Sequence, residues 1–286
     1  MKIYNRKEKS YEEIRQFGQG ALAFLYGNAF GRLLLKIAVS PLVSSIYGWM
    51  NQRPKSAKKI PGFISEYNIN TKDYEDREYT SFTDFFTRKI KEGARVIDRN
   101  AEILISPCDS KLLVYKIDSD LRVMVKGREY TLDELVAGKT DTDSFKGGWC
   151  LVYRLSMDDY HRYCFVDEGK MSDSYKIKGK LHTVSSLSSA YKIYKENTRV
   201  INELETNNFG KIIHIEVGAL LVGKIKNRNV ISFERGEEKG YFEPGGSTIV
   251  QFIEANTVSI DEDILEQSAA GIETKVYYGE RVGKKC

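Results

Sequence analysis

Glu243-Pro244-Gly245-Gly246-Ser247-Thr248 runs directly into Ile249-Val250-Gln251-Phe252, a tight turn opening onto an apolar run. Pro244 and the two glycines supply the turn, and Ser247 stands where a strand begins. Gly246 has no side chain to shield its carbonyl, so the Ser247 hydroxyl can approach it, although most such turns are only turns. The same strand texture fills the chain beyond Asp98. Residues 103–105, 111–115, 122–125, 150–155, 211–217 and 219–225 read as short strands. Helix signals are fewer: Ser81 with Asp84 three residues on, and Thr131 with Glu134, resemble capping boxes. Phe82, Phe85 and Phe86 then share one helical face. The expectation is an α+β protein whose β-rich core is built of antiparallel or mixed sheets, sandwich- or barrel-like, with helices on its N-terminal side.

A chain of 286 residues can bury a sizeable core, and 41% hydrophobic with 29% charged residues is a globular composition. The net charge of +4 gives no support to a nucleic-acid partner. Cys108, Cys150, Cys164 and Cys286 form no C-x-x-C pair, so neither a metal site nor a disulfide framework is indicated, and a reducing compartment fits. Only three histidines, His161, His182 and His214, are available for proton transfer near neutral pH. His214 alternates with Ile213 and Ile215 and shares a face with Glu216, which reads as the polar side of a strand.

The first 60 residues differ in character. Apolar runs from Ala21 to Trp49 are interrupted by Arg32, Lys36 and Pro41, so no uncharged stretch reaches the length of a spanning helix. Apolar residues with a Trp/Tyr edge, followed by Arg53, Lys55, Lys58 and Lys59, suit helices lying in the interface of an anionic membrane. A buried helical hairpin is the alternative. The division expected is a membrane-associating helical region at 1–60 and a catalytic domain at 61–286.

Three polar turns hold residue types suited to chemistry: Ser106-Pro107-Cys108-Asp109-Ser110, Asp158-Asp159-Tyr160-His161-Arg162, and Gly246-Ser247. An acid, a histidine and a serine are the ingredients of an activated nucleophile, recognised by geometry rather than order. More specific is the series Ser-Phe-x-x-Phe-Phe-x-Arg (Ser81 to Arg88), Ser-Pro-x-Asp (Ser106 to Asp109), Asp-Tyr-His-Arg (Asp159 to Arg162), Val-Gly-Ala-x-x-Val-Gly (Val217 to Gly223) and Gly-Ser-Thr (Gly246 to Thr248). In that order, from Ser81 to Phe252, the series resembles phosphatidylserine decarboxylase.

The resemblance implies a self-processing enzyme on the cytoplasmic face of the cell membrane, held there peripherally. Ser247 would attack the Gly246 carbonyl, and elimination and hydrolysis would leave a β chain of 1–246 and an α chain of 247–286 headed by a pyruvoyl group. His161, oriented by Asp109, would be the base. The pyruvoyl cofactor would take phosphatidylserine as a Schiff base and act as an electron sink, making phosphatidylethanolamine. No metal is implied, and a homo-oligomer is left open. Two departures stand out. Many relatives have Leu where Gly245 lies, and many read Asp-Tyr-His-Arg-x-His, whose second histidine is Cys164 here. Cys164 is then either a proton donor to substrate or small core filler. His182 is either a residue near the substrate or a partly exposed strand histidine. A pyruvoyl decarboxylase of a soluble amino acid, a serine hydrolase using Ser247 uncleaved, and a non-catalytic membrane-associated β-rich protein remain alternatives from the residues alone.

Overall fold

All seven residues of the strand Ser247–Ile253 are buried, which is why apolar side chains fall on both its faces instead of alternating. In the computed structural model, which describes residues 1–14, 19–172, 174–183, 191–220, 224–245 and 247–286, this strand lies between Trp149–Leu155 and Gly210–Gly218, antiparallel to both. Ser110–Lys116, Glu273–Val276, Lys2–Asn5 and Ser10–Glu13 continue the sheet on one side. Arg199–Thr206, Gly169–Met171 and Ser232–Phe233 continue it on the other. The pairing is antiparallel except between Lys2–Asn5 and Glu273–Val276. With its helices and three smaller sheets, the architecture is α+β.

One small sheet matters for function. It joins Arg162–Cys164, Glu238–Phe242 and Ile225–Asn227, and its middle strand leads straight into the turn before Ser247. The helix Phe82–Phe86 is capped as its sequence suggests, with the Ser81 hydroxyl accepting from the Asp84 amide. Its three phenylalanines pack with Phe63, Tyr74, Met157 and Tyr160 in a core cluster separate from that of the main sheet. This cluster fastens the N-terminal helices to the turn that carries His161.

Two boundaries differ from the sequence expectation. Residues 1–14, expected within a helical region, form a hairpin that extends the main sheet, because Lys2–Asn5 finds a free edge on Glu273–Val276. Helices follow at Gln19–Gly27, Ala29–Ala38, Pro41–Gln52 and Ile60–Tyr67. A strand was expected over 219–225, but the strand of the main sheet ends at Gly218 and the chain turns at Leu220. Residues 221–223 lie outside those described, and the next strand starts at Ile225.

Among the described residues no single helix is long and apolar enough to cross a membrane, although Ala29–Ala38 and Pro41–Gln52, bent by 65°, reach that length and composition together. The helices are tied to the rest of the chain by specific bonds. The Leu181 amide donates to the Val39 carbonyl (3.0 Å), and the Phe82 amide donates to Ser56 Oγ (2.9 Å).

Candidate active site

Ser247 faces Gly218 on one neighbouring strand and Leu155 on the other. Its Oγ is buried and has no hydrogen-bond partner among the described residues. A buried hydroxyl left unbonded is costly, and native proteins rarely leave one without a reason. The preceding turn is pinned from several directions. The Phe242 amide donates to the His161 carbonyl (3.0 Å), and the Glu243 amide donates to that of Lys224 (2.9 Å). Gln52, the last residue of the helix Pro41–Gln52, donates to the Glu243 carboxylate (3.4 Å). Gly245 sits at φ +141°, a backbone region that favours glycine. Gly246, expected to supply the scissile carbonyl, lies outside the described residues.

His161 follows the strand Trp149–Leu155 after a short turn, and the turn is built by Asp159. That carboxylate accepts from the Ser156 amide (2.6 Å) and from Lys111 Nζ (2.7 and 2.8 Å). Burial pushes the Asp159 carboxyl up to about 6, against the pull of Lys111. The Asp159 carbonyl then accepts from His161 Nδ1 at 2.9 Å. A carbonyl can only accept, so Nδ1 carries the proton and Nε2 holds the lone pair. Nε2 is buried and, like Ser247 Oγ, has no hydrogen-bond partner among the described residues. Burial pushes the imidazole down to about 3; the Asp159 carbonyl opposes this, and the charge of Arg88 adds to it. The Phe86 ring packs against it, tilted by 38°, with ring centroids 4.1 Å apart. The result is a neutral imidazole fixed in one tautomer, the form a general base requires.

The expected contact between Asp109 and His161 is not made. Asp109 is gripped by Arg95, with Nε 3.0 Å from Oδ1 and Nη2 2.6 Å from Oδ2, and it also accepts from the Tyr278 amide (2.8 Å). It lines a cavity of about 960 Å³ together with Asp158, Asp159 and Tyr74. An arginine fourteen positions upstream outcompetes a neutral imidazole because a bidentate ion pair satisfies both oxygens at once. Lys111 and the Asp159 carbonyl, which the sequence reading did not single out, do the orienting. A lysine at the start of an apolar strand was the available signal.

Cys164 is fully buried opposite Glu238, with its thiol 3.9 Å from the Ser106 carbonyl. Burial pushes that thiol up to about 12. His182 is neither exposed nor in a strand: it is 2% exposed, bonded through Nδ1 to the Tyr26 hydroxyl (3.2 Å) and stacked on Tyr191. Asn197 links it to the serine row, donating to the carbonyls of both His182 and Gly218 at 2.8 Å. His214 lies on a polar strand face, but that face is inside the protein. It meets Gln251 (3.0 Å) and Glu216 (3.4 Å), and Glu216 is ion-paired with Lys239; all four side chains are fully buried.

Residues 82–284 match the family model described as phosphatidylserine decarboxylase. The chain belongs to the phosphatidylserine decarboxylase family. It is therefore an enzyme of the carboxy-lyase class. It is 51% identical to phosphatidylserine decarboxylase proenzyme 2 of Clostridium acetobutylicum, over 99% of this chain and 98% of that one. It is 41% identical to the phosphatidylserine decarboxylase proenzyme of Clostridium botulinum, over 100% and 99% of the two chains. The proenzyme of Desulfitobacterium hafniense (strain Y51) is 40% identical, over 99% and 98%. Similarity to these family members covers the N-terminal hairpin and helices as well as the catalytic part.

Proposed function

We propose that this chain is a self-processing phosphatidylserine decarboxylase that works docked on an anionic membrane surface. The observation that carries the reading is the pair of buried, unbonded groups: Ser247 Oγ at the head of a central strand, and His161 Nε2, held as a base by Asp159. The His161 carbonyl is bonded to Phe242, at the root of the turn leading to Ser247, so the two groups belong to one framework. His161 takes the hydroxyl proton as Oγ attacks the Gly246 carbonyl. Elimination and hydrolysis then divide the chain into 1–246 and 247–286.

The residues fit the pyruvoyl group this reaction would leave. Ser247 is enclosed and its Oγ makes no competing hydrogen bond, and Gly218 opposite it adds no side chain. The pyruvoyl carbonyl supplies an electron sink for the substrate's amine-bearing carbon. In this reading the enclosed site excludes water, and His161 Nε2 carries the proton that replaces the lost carboxylate. Asp109, with Arg95, shapes the cavity wall rather than the imidazole. Cys164 serves as a packed thiol, since a group held protonated with its hydrogen aimed at a carbonyl is a poor base.

The membrane reading is supported by the N-terminal helices. Phe30, Leu33, Ile37, Leu42, Ile46, Trp49 and Met50 are each more than half exposed, an unusual concentration for two consecutive helices. Arg32, Lys36, Arg53, Lys55 and Lys58 are exposed beside them. Ser247→Ala should yield a folded, full-length, inactive chain, while the unaltered protein gives two fragments by denaturing gel and intact mass. Cleavage of the alanine variant at the same bond would overturn the assignment. Release of carbon dioxide from detergent-solubilised phosphatidylserine tests the substrate.

A further inference from the structure

Arg88 closes the aromatic motif that begins at Ser81, and its side chain is only 1% exposed. Nη1 donates to the Phe85 carbonyl (3.2 Å); among the described residues Nε and Nη2 are buried without a hydrogen-bond partner, and only the Tyr74 phenol interacts with the guanidinium as a side-chain acceptor. The guanidinium lies over the rings of Tyr74 (4.1 Å) and Phe85 (4.6 Å). Carboxylates on the surrounding elements are committed elsewhere: Asp73 and Asp109 to Arg95, Asp84 to Arg77, and Asp159 to Lys111. A buried cation without a counter-ion is strongly unfavourable, and attraction to ring faces returns only part of that cost.

The position of this cation is informative. Phe86, two residues earlier, packs against His161. Tyr74, on which the guanidinium rests, is in the wall of the cavity that reaches Asp109, Asp158 and Asp159. The guanidinium therefore rests against Tyr74, a ring of the cavity wall, and follows by two positions the ring that packs on His161. We infer that Arg88 binds the phosphodiester of the lipid headgroup, an inference that rests on the decarboxylase reading above.

The headgroup offers two oxyanions, and the chemistry separates them. The carboxylate loses its charge as carbon dioxide departs, so a cation gripping it would stabilise the ground state and slow the reaction. The phosphodiester keeps its charge from substrate to product. A guanidinium fork suits its two free oxygens, and the contact holds equally before, during and after decarboxylation. Arg88 should therefore act on KM and on product binding, and hardly on kcat.

The test uses Arg88→Met and Arg88→Lys, each checked for self-cleavage by gel and for thermal unfolding. Turnover is measured on phosphatidylserine in detergent micelles, and Kd is measured by calorimetry for dihexanoyl-phosphatidylethanolamine, which has the phosphodiester but no carboxylate. Arg88→Met should raise both KM and Kd by about tenfold to a hundredfold, with kcat within about threefold, and Arg88→Lys should recover part of the loss. A raised KM with unchanged Kd would assign Arg88 to the carboxylate and overturn the inference. A fall in kcat alone, no change at all, or failure of both variants to self-cleave would overturn it too. Unaltered protein that binds the lipid but releases no carbon dioxide would remove the decarboxylase reading instead, with the Kd comparison still deciding the subsite.

Discussion

His161 Nδ1 lies 2.9 Å from the carbonyl oxygen of Asp159, two residues before it, and this contact selects Nε2 as the basic nitrogen. The carbonyl is held in place because the Asp159 carboxylate is clamped by Lys111 and by the Ser156 amide. Orientation of the base is thus a local property of one turn, secured by one lysine from the adjacent strand.

A pH prediction follows from the burial of that ring. Folded His161 protonates only near 3, against about 6.5 in the unfolded chain. Between those values the unfolded state binds more protons, so stability falls as pH is lowered through 6.5 towards 3. The base itself stays neutral throughout. Self-cleavage of freshly translated protein, followed by gel, should be flat from about pH 8 down to the range near 6 in which Asp159 takes up a proton, and Asp159→Asn should extend the flat range to about pH 5. A step near 6.5 that persists in Asp159→Asn would show an exposed histidine acting instead.

Cys164→Ser should leave both steps nearly intact. A serine hydroxyl can donate to the same Ser106 carbonyl, and the substitution removes little volume from a site with no exposure. Cleavage by gel and turnover by carbon dioxide release should both stay within about threefold. A loss of turnover of a hundredfold or more, with cleavage normal, would mark the thiol as a proton donor to substrate. Loss of cleavage would make it part of processing.

Lys239 and Glu216 join the small sheet that carries His161's neighbours to the main sheet that carries Ser247's. Both are fully buried, so Lys239→Met strands a carboxylate and should cost about 3–5 kcal/mol in chemical denaturation. Adding Glu216→Gln removes the stranded charge and should recover a large part of that loss. A double variant as unstable as the single one would mean that packing, not charge, holds the sheets together.

The exposed helical face should be separable from catalysis. Ile37→Ser, Leu42→Ser and Trp49→Ser together remove apolar side chains that are more than half exposed. Co-sedimentation with anionic vesicles should fall at least tenfold, while self-cleavage in solution continues. Unchanged sedimentation would refute the docking surface. Deleting the whole N-terminus is a poorer test, because strand Lys2–Asn5 pairs within the catalytic sheet and Gln52 touches the turn before Ser247.

Much of this protein is legible without coordinates because its signals are local. The turn at Pro244 and Gly245, the apolar runs on both faces of the serine strand, the caps at Ser81 and Thr131, and the amphipathic helices ending in lysines each depend on neighbours within a few positions. The ordered motifs pointed to the family for the same reason: each is a short stretch of residues near in sequence. What tertiary structure alone decided are the contacts that cross strands. His214 and Glu216 alternate with isoleucines as a solvent-facing pair would, yet Lys239 and Gln251 arrive from other strands and close that face as a buried polar cluster. Asp109 stood as the orienting acid until the fold brought Arg95 to it and Lys111 to Asp159. A charged group takes the strongest counter-ion that folding brings within reach, and the packing of turns and sheets against one another, not sequence spacing, determines which one that is.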